Sequence, residues 1–307
     1  TIIGSSDTAA GDTLKGGGGN DTFTMAGNLT YTDTIDGGAG TDIITVGAAT
    51  VTDVAFMKVS NAETLTIDHS TTSTITLGAY FSASGISTVN VDTDAGDLST
   101  VDAAGTTTGV KFVDASTLNA NITGGLGDDT FSYAGTNRLD ANDTLDGGAG
   151  TDTIEVDNSG GAATIVFGLN ESKNIEKITV KDADGGDTAG SENADAISIT
   201  IDGEGGALET DDATDGTDYN IEIDATVITD SNDAVTFDAS DIAEKDFSFT
   251  IKTGAGADDI TGSKTVDTIT TGSGIDTIDA KDGDDVINAG DGADLITGGV
   301  GQDTITG

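Results

Sequence analysis

"GAGADDITGSKTVDTITTGSGIDTIDAKDGDDVINAGDGADLITGGVGQDTITG", residues 254–307, repeats one phrase with a period of nine. Asp258, Asp267, Asp276, Asp285, Asp294 and Asp303 fall in unbroken register, and an isoleucine follows two places after each, at Ile260, Ile269, Ile278, Ile287, Ile296 and Ile305. Glycines stand two places before most of these aspartates, at Gly256, Gly274, Gly283, Gly292 and Gly301, with Thr265 in that place in one divergent copy. A flexible Gly/Asp-rich linker has no reason to keep aliphatic residues in phase. The period therefore reads as a tight turn followed by a minimal strand whose aliphatic side chain points inward.

The phrase recurs upstream as GGGGNDTF (16–23), GGAGTDII (37–44), GGLGDDTF (124–131) and GGAGTDTI (147–154), carrying Asp21, Asp42, Asp129 and Asp152. Partial copies place Asp12, Asp33 and Asp143 nine residues ahead of Asp21, Asp42 and Asp152, and these three also read as ordinary turn aspartates. A longer period of roughly 110 residues relates Asp21 to Asp129 and Asp42 to Asp152. It also relates NAETLTI (61–67) to NIEKITV (174–180) and the DAS at 114–116 to that at 238–240. The chain thus divides into a first module (1–120), a second (121–252) and a C-terminal block (253–307). Asn61 with Glu63 and Asn174 with Glu176 recur at matching places. An ion site or a chain contact is open there, but a ladder of Asn and Glu fixing strand stacking is preferred.

Between the phrases, AETLTID, STITLGA, ISTVNVD, EKITVKD, AISITID, YNIEID and FSFTIK alternate or run with β-branched residues and read as strands. No helical period stands out, although DVAFMKVSNAE (53–63) has room for one helical turn. The acidic stretch 181–196 reads as a solvated loop. Absence of proline suits a stack in which nearly every N–H enters a ladder. The expected fold is all-β, a right-handed parallel β-solenoid with β-roll segments; the alternative is β-sandwich modules joined by short rolls.

Composition narrows the function. Aromatic residues are 4 % of the chain and Trp is absent, too few for a thick core, while Ile, Val, Leu and Ala suffice for a thin repetitive one. A net charge of −44 repels nucleic acid and anionic membranes, so the natural partners are cations. Without cysteine there is no disulfide framework, and stability outside a cell must come from elsewhere. No run approaches the roughly 18 apolar residues of a membrane span, and no signal peptide is visible. The start without Met and the roll still running at Gly307 suggest a processed or internal piece, with more roll and a secretion signal beyond. His69 is the single histidine and reads as a surface residue. No H-E-x-x-H or G-x-S-x-G occurs, and few aromatics are available to line a sugar cleft, so no enzyme is expected.

Two nonapeptides make one 18-residue coil, which aligns Asp258, Asp276 and Asp294 on one edge and Asp267, Asp285 and Asp303 on the other. Carboxylates one strand spacing apart repel by very roughly 3–4 kcal/mol per pair at an effective dielectric of about 20. A hard dication between turns removes that cost and takes turn carbonyls as further ligands. Ca²⁺ suits this better than Mg²⁺, which demands near-ideal octahedral geometry, or Zn²⁺, which wants Cys and His.

The phrase G-G-x-G-x-D-x-U-x resembles the calcium-binding repeat of RTX-type secreted bacterial proteins, and the chain as a whole is most similar to RTX-type surface-layer proteins of Gram-negative bacteria. That resemblance implies several Ca²⁺ ions held by Asp21, Asp42, Asp129, Asp152, Asp258, Asp267, Asp276, Asp285, Asp294 and Asp303, with Asp12, Asp33 and Asp143 as further candidates. It implies type I secretion to the cell surface, partners that are copies of the chain in a lattice or filament, and attachment to surface polysaccharide or lipopolysaccharide. Adhesin or extender modules, and the secretion module of a larger RTX enzyme or toxin, share the repeat and stand as alternatives. At a Kd of about 1 mM and about 10 mM free Ca²⁺ each site adds roughly 1.4 kcal/mol, so coupled sites decide folding. Chelation is therefore predicted to melt residues 253–307.

Overall fold

The computed structural model describes residues 1–4, 11–25, 29–47, 50–68, 73–91, 99–114, 120–134, 144–157, 163–168, 172–181, 197–202, 219–228, 231, 233–242 and 247–307. Asp143, His69 and residues 182–196 of the acidic loop lie outside the described residues. Two compact units are present: Thr1–Ser132 with Asp143–Asp152, and Tyr133–Asn142 with Thr153–Gly307.

In the first unit, strands Ile2–Gly4, Thr22–Met25, Ile43–Val46, Thr64–Ile67, Thr88–Val91 and Lys111–Asp114 follow one another in a parallel sheet. Their side chains alternate between core and surface, as a pleated strand with one buried face requires. One inward column is Phe23, Ile44, Leu65, Val89 and Phe112 in direct register, all fully buried. A second face stacks Val51, Ile75, Val101, Ile122 and Leu145, and a third stacks Leu14, Ile35 and Val59. Phe112 and Phe131 lie ring on ring at 5.4 Å, a large pair in an otherwise thin core.

The second unit repeats the scheme. Thr153–Asp157, Lys177–Lys181, Tyr219–Asp224, Phe247–Lys252, Thr268–Thr270, Val286–Asn288 and Thr304–Thr306 form one parallel face. Its column runs Ile154, Ile178, Ile223, Ile251, Ile269, Ile287 and Ile305. The opposite face stacks Ile199, Phe237, Ile260, Ile278 and Ile296. Ile260, Ile269, Ile278 and Ile287 are buried, as the phasing predicts, whereas Ile305, in the end strand of its sheet, is 49 % exposed.

The strand pairings described above are all parallel, so each unit is a parallel β-solenoid. The β-sandwich alternative is excluded, since it needs antiparallel sheets. Among the described residues two short helical segments interrupt the strands: a 3₁₀ turn Asp53–Lys58, where the sequence leaves room for one, and an α-helix Ala79–Ser84, which sequence periodicity misses. Six residues are too few to show a helical period. What fixes this helix is distant in sequence: the Asp53 carboxylate accepts the N–H groups of Phe81 (2.9 Å) and Tyr80 (3.2 Å), and Phe56 meets Phe81 edge to face at 5.3 Å. Among the described residues no helix is long and apolar enough to cross a membrane.

Candidate metal centre

Each nonapeptide aspartate sits where a glycine turn enters its strand, so its carboxylate is held against the neighbouring coil. In the C-terminal block the N–H of Asp258 donates to Asp276 Oδ1 (2.9 Å) and that of Asp276 to Asp294 Oδ1 (3.1 Å). On the other edge Asp267 donates to Asp285 (2.8 Å) and Asp285 to Asp303 (3.1 Å). Each step is 18 residues, so both predicted edges form, as two ladders of carboxylates. The ladders reach back into strands without the phrase, where Val235 N–H donates to Asp258 and Phe249 N–H to Asp267.

The first unit builds the same device on longer coils. Asp21 N–H donates to Asp42 Oδ1 (2.7 Å) and Asp12 N–H to Asp33 Oδ1 (2.9 Å), both 21 residues apart, and Asp129 N–H donates to Asp152 Oδ1 (2.7 Å) across 23. Asp42 N–H in turn donates to Glu63 Oε2 (2.7 Å). Glu63 thus takes the next rung of the ladder. The shared phrases NAETLTI and NIEKITV were the sequence signal for it.

The second carboxylate oxygens divide the aspartates into two groups. Asp33 Oδ2 receives the N–H and hydroxyl of Thr30, and Asp129 Oδ2 receives Gly125 N–H. Asp258 Oδ2 receives the Thr253 hydroxyl (2.5 Å), and Asp267 Oδ2 the Ser263 N–H (2.7 Å) and hydroxyl (3.0 Å). Thr253 and Ser263 stand at glycine positions of the phrase, so the divergent copies supply their own donors. By contrast, Oδ2 of Asp42, Asp276 and Asp285 is buried with no hydrogen-bond partner.

A buried, unpaired carboxylate oxygen costs several kcal/mol unless a proton or a cation compensates it. Burial accordingly pushes the Asp285 carboxyl up to about 6, against the lowering hydrogen bond from Asp267 N–H and with the charges of Asp267, Asp303 and Asp284 adding to the rise. Burial likewise raises Asp129, Asp258 and Asp267, each only partly offset by the donors on its oxygens. Glycine admits the close approach of neighbouring coils beside these groups. With φ 146°, Gly283 adopts a backbone that other residues rarely take, and a Cβ there would lie 2.6 Å from Asp285 Oδ1 and collide with the Thr265 carbonyl of the coil below.

Among the described residues no three carboxylate or imidazole groups converge on one point. A cation here would be held by one or two carboxylates completed by turn carbonyls. That all-oxygen donor set, with buried orphan oxygens, fits Ca²⁺.

The family model for the RTX calcium-binding nonapeptide repeat (4 copies) matches residues 6–24, 30–49, 139–158, 250–278 and 270–305. These matches support an RTX-type protein that binds calcium. They include every candidate aspartate except Asp129, which the structure nonetheless places in a ladder with Asp152. No curated protein and no solved structure matches the chain.

Proposed function

We propose that this chain is a calcium-stabilised structural protein of the bacterial cell surface that assembles with copies of itself into a lattice or filament, without catalysis of its own. The observation that carries the reading is the pair of carboxylate ladders whose buried Oδ2 atoms at Asp276 and Asp285 have no donor, within a parallel coil stack. Bound Ca²⁺ would supply positive charge between coils and draw turn carbonyls inward. The chain's own residues do the rest. The aspartates set the coil-to-coil register through their N–H to Oδ1 bonds, the glycines admit the close approach, and the isoleucine columns exclude water.

RTX repeats are typical of secreted proteins, which supports an extracellular site of action, and calcium at millimolar level there would fill weak sites. Repetition of a module of about 110 residues favours a structural or spacing role over a single roll attached to an enzyme. Electron microscopy of the purified chain in millimolar Ca²⁺ tests the proposal. Ordered sheets or filaments that dissolve in EGTA are the expected result. Stiff monomers in Ca²⁺ would instead support an extender or adhesin module.

A further inference from the structure

We propose that the first unit holds a divalent-cation site in which Asp42 of the nonapeptide phrase is joined by two residues outside it, Glu63 and the carbonyl of Asn61. The inference rests on the calcium reading of the nonapeptides and extends it to residues that no repeat motif marks.

Register brings the parts together. Asp36 pairs with Ser60 and Ile43 with Thr64, which sets Gly37 beside Asn61 and Asp42 beside Glu63. Between these points one coil uses six residues, 37–42, and the next uses three, 61–63. The shortcut depends on Asn61, which has φ 53°, the left-handed conformation that Asn tolerates better than most residues. A carboxylate on so short a corner has farther to reach. Glu63 supplies one more methylene than Asp, and its Oε2 accepts Asp42 N–H at 2.7 Å.

The unmet group is Asp42. It is fully buried; Oδ1 accepts Asp21 N–H at 2.7 Å and Oδ2 has no partner. A Cβ on Gly37 would lie 2.6 Å from that Oδ2 and collide with the Asn61 carbonyl oxygen. Both oxygens therefore lie close to the Gly37 Cα and to each other. An orphan carboxylate oxygen, a carbonyl and a second carboxylate from the next coil make an all-oxygen set suited to Ca²⁺ and unsuited to Zn²⁺. The consequence reaches beyond the motif, because the site ties the coil that carries the 3₁₀ turn Asp53–Lys58 to the nonapeptide coils. The related phrase at Asn174–Glu176 keeps the same backbone feature, with Asn174 at φ 55°.

The test uses the full chain. Equilibrium Ca²⁺ binding is compared for the wild type, Glu63→Gln, which keeps an acceptor for Asp42 N–H while removing the charge, and Glu222→Gln as a control carboxylate outside the ladders. One site is expected to weaken about tenfold in Glu63→Gln and none in the control. An unchanged Glu63→Gln isotherm beside a calcium-binding wild type overturns this site and leaves the nonapeptide reading standing; a wild type that binds no Ca²⁺ overturns both. Should Glu63→Gln fail to fold, an anomalous difference map of calcium-loaded wild-type crystals decides. A peak about 2.3–2.6 Å from Asn61 O and Asp42 Oδ2 is expected. Peaks in the C-terminal block with none beside Gly37 would contradict the proposal.

Discussion

Asp285 concentrates the electrostatic problem of the roll. It is fully buried, its Oδ1 accepts Asp267 N–H, its Oδ2 has no donor, and burial pushes its carboxyl up to about 6. In an unfolded chain an Asp titrates near about 3.9. The cation-free folded roll therefore binds this proton more tightly than the unfolded chain does, so stability is gained as pH falls through about 6 toward about 4 and lost above it. In buffer stripped of calcium the β circular dichroism signal is expected to rise as pH is lowered from 7.5 to 5, and a fall would contradict the assignment. Protons and Ca²⁺ then compete for the same oxygens. The hydroxyl donors separate the rungs further. Asp276→Asn and Asp285→Asn are expected to weaken Ca²⁺ binding more than Asp258→Asn, whose Oδ2 already has the Thr253 hydroxyl, and titration calorimetry would show equal losses if that distinction were wrong. The register of these aspartates was legible in the sequence because a turn and its strand are local. Which oxygens go unpaired was not, because the acceptor geometry joins residues 18 to 23 apart, and Glu63 joins the ladder only through a coil of different length.

Among the elements, the strands carry the stability that calcium does not. Ile269 is fully buried between Ile251 and Ile287, so Ile269→Ala in saturating Ca²⁺ is expected to cost about 2–5 kcal/mol in denaturant unfolding; a cost near zero would mean the column is not a packed core. Strands away from the phrase use lysine as their cation. Lys252 pairs with Glu222 at 2.5 Å, and Lys177 lies 3.6 Å from Glu222 and 3.4 Å from Asp224. The hydrogen bond from Lys252 holds the Glu222 carboxyl below its ordinary value. That contribution is present above the unfolded value of about 4.3 and is lost as pH falls through the lowered one, the opposite sign to Asp285. Acidification in calcium-free buffer is thus expected to lower the amide protection factors in 219–224 while raising them in 267–288. Equal shifts in both would contradict the contrast. Strand segments such as YNIEID and FSFTIK were readable from their alternation, since the pleat imposes a period of two. The helix at Ala79–Ser84 was not, because its cap comes from Asp53 and its packing from Phe56.

At the scale of the whole molecule, a chain of net charge −44 with 4 % aromatic residues folds by repetition. Each unit lays short parallel strands in register and buries thin columns of apolar side chains along its faces, and the nonapeptide carboxylates sit at turns where main-chain N–H groups meet them. The repeat period foretold the solenoid because a nine-residue phrase with one inward aliphatic residue leaves few ways to stack. Coil lengths of 21 and 23 residues in the first unit were hidden, since there the phrase alternates with unpatterned insertions. Hydrogen exchange followed peptide by peptide across 253–307, in millimolar Ca²⁺ and again in EGTA at neutral pH, tests the central claim that the carboxylate ladders need a cation to hold the roll together. Slow exchange of the strand amides in Ca²⁺ and near-complete loss of that protection in EGTA is the expected result. Equal protection in both would contradict it.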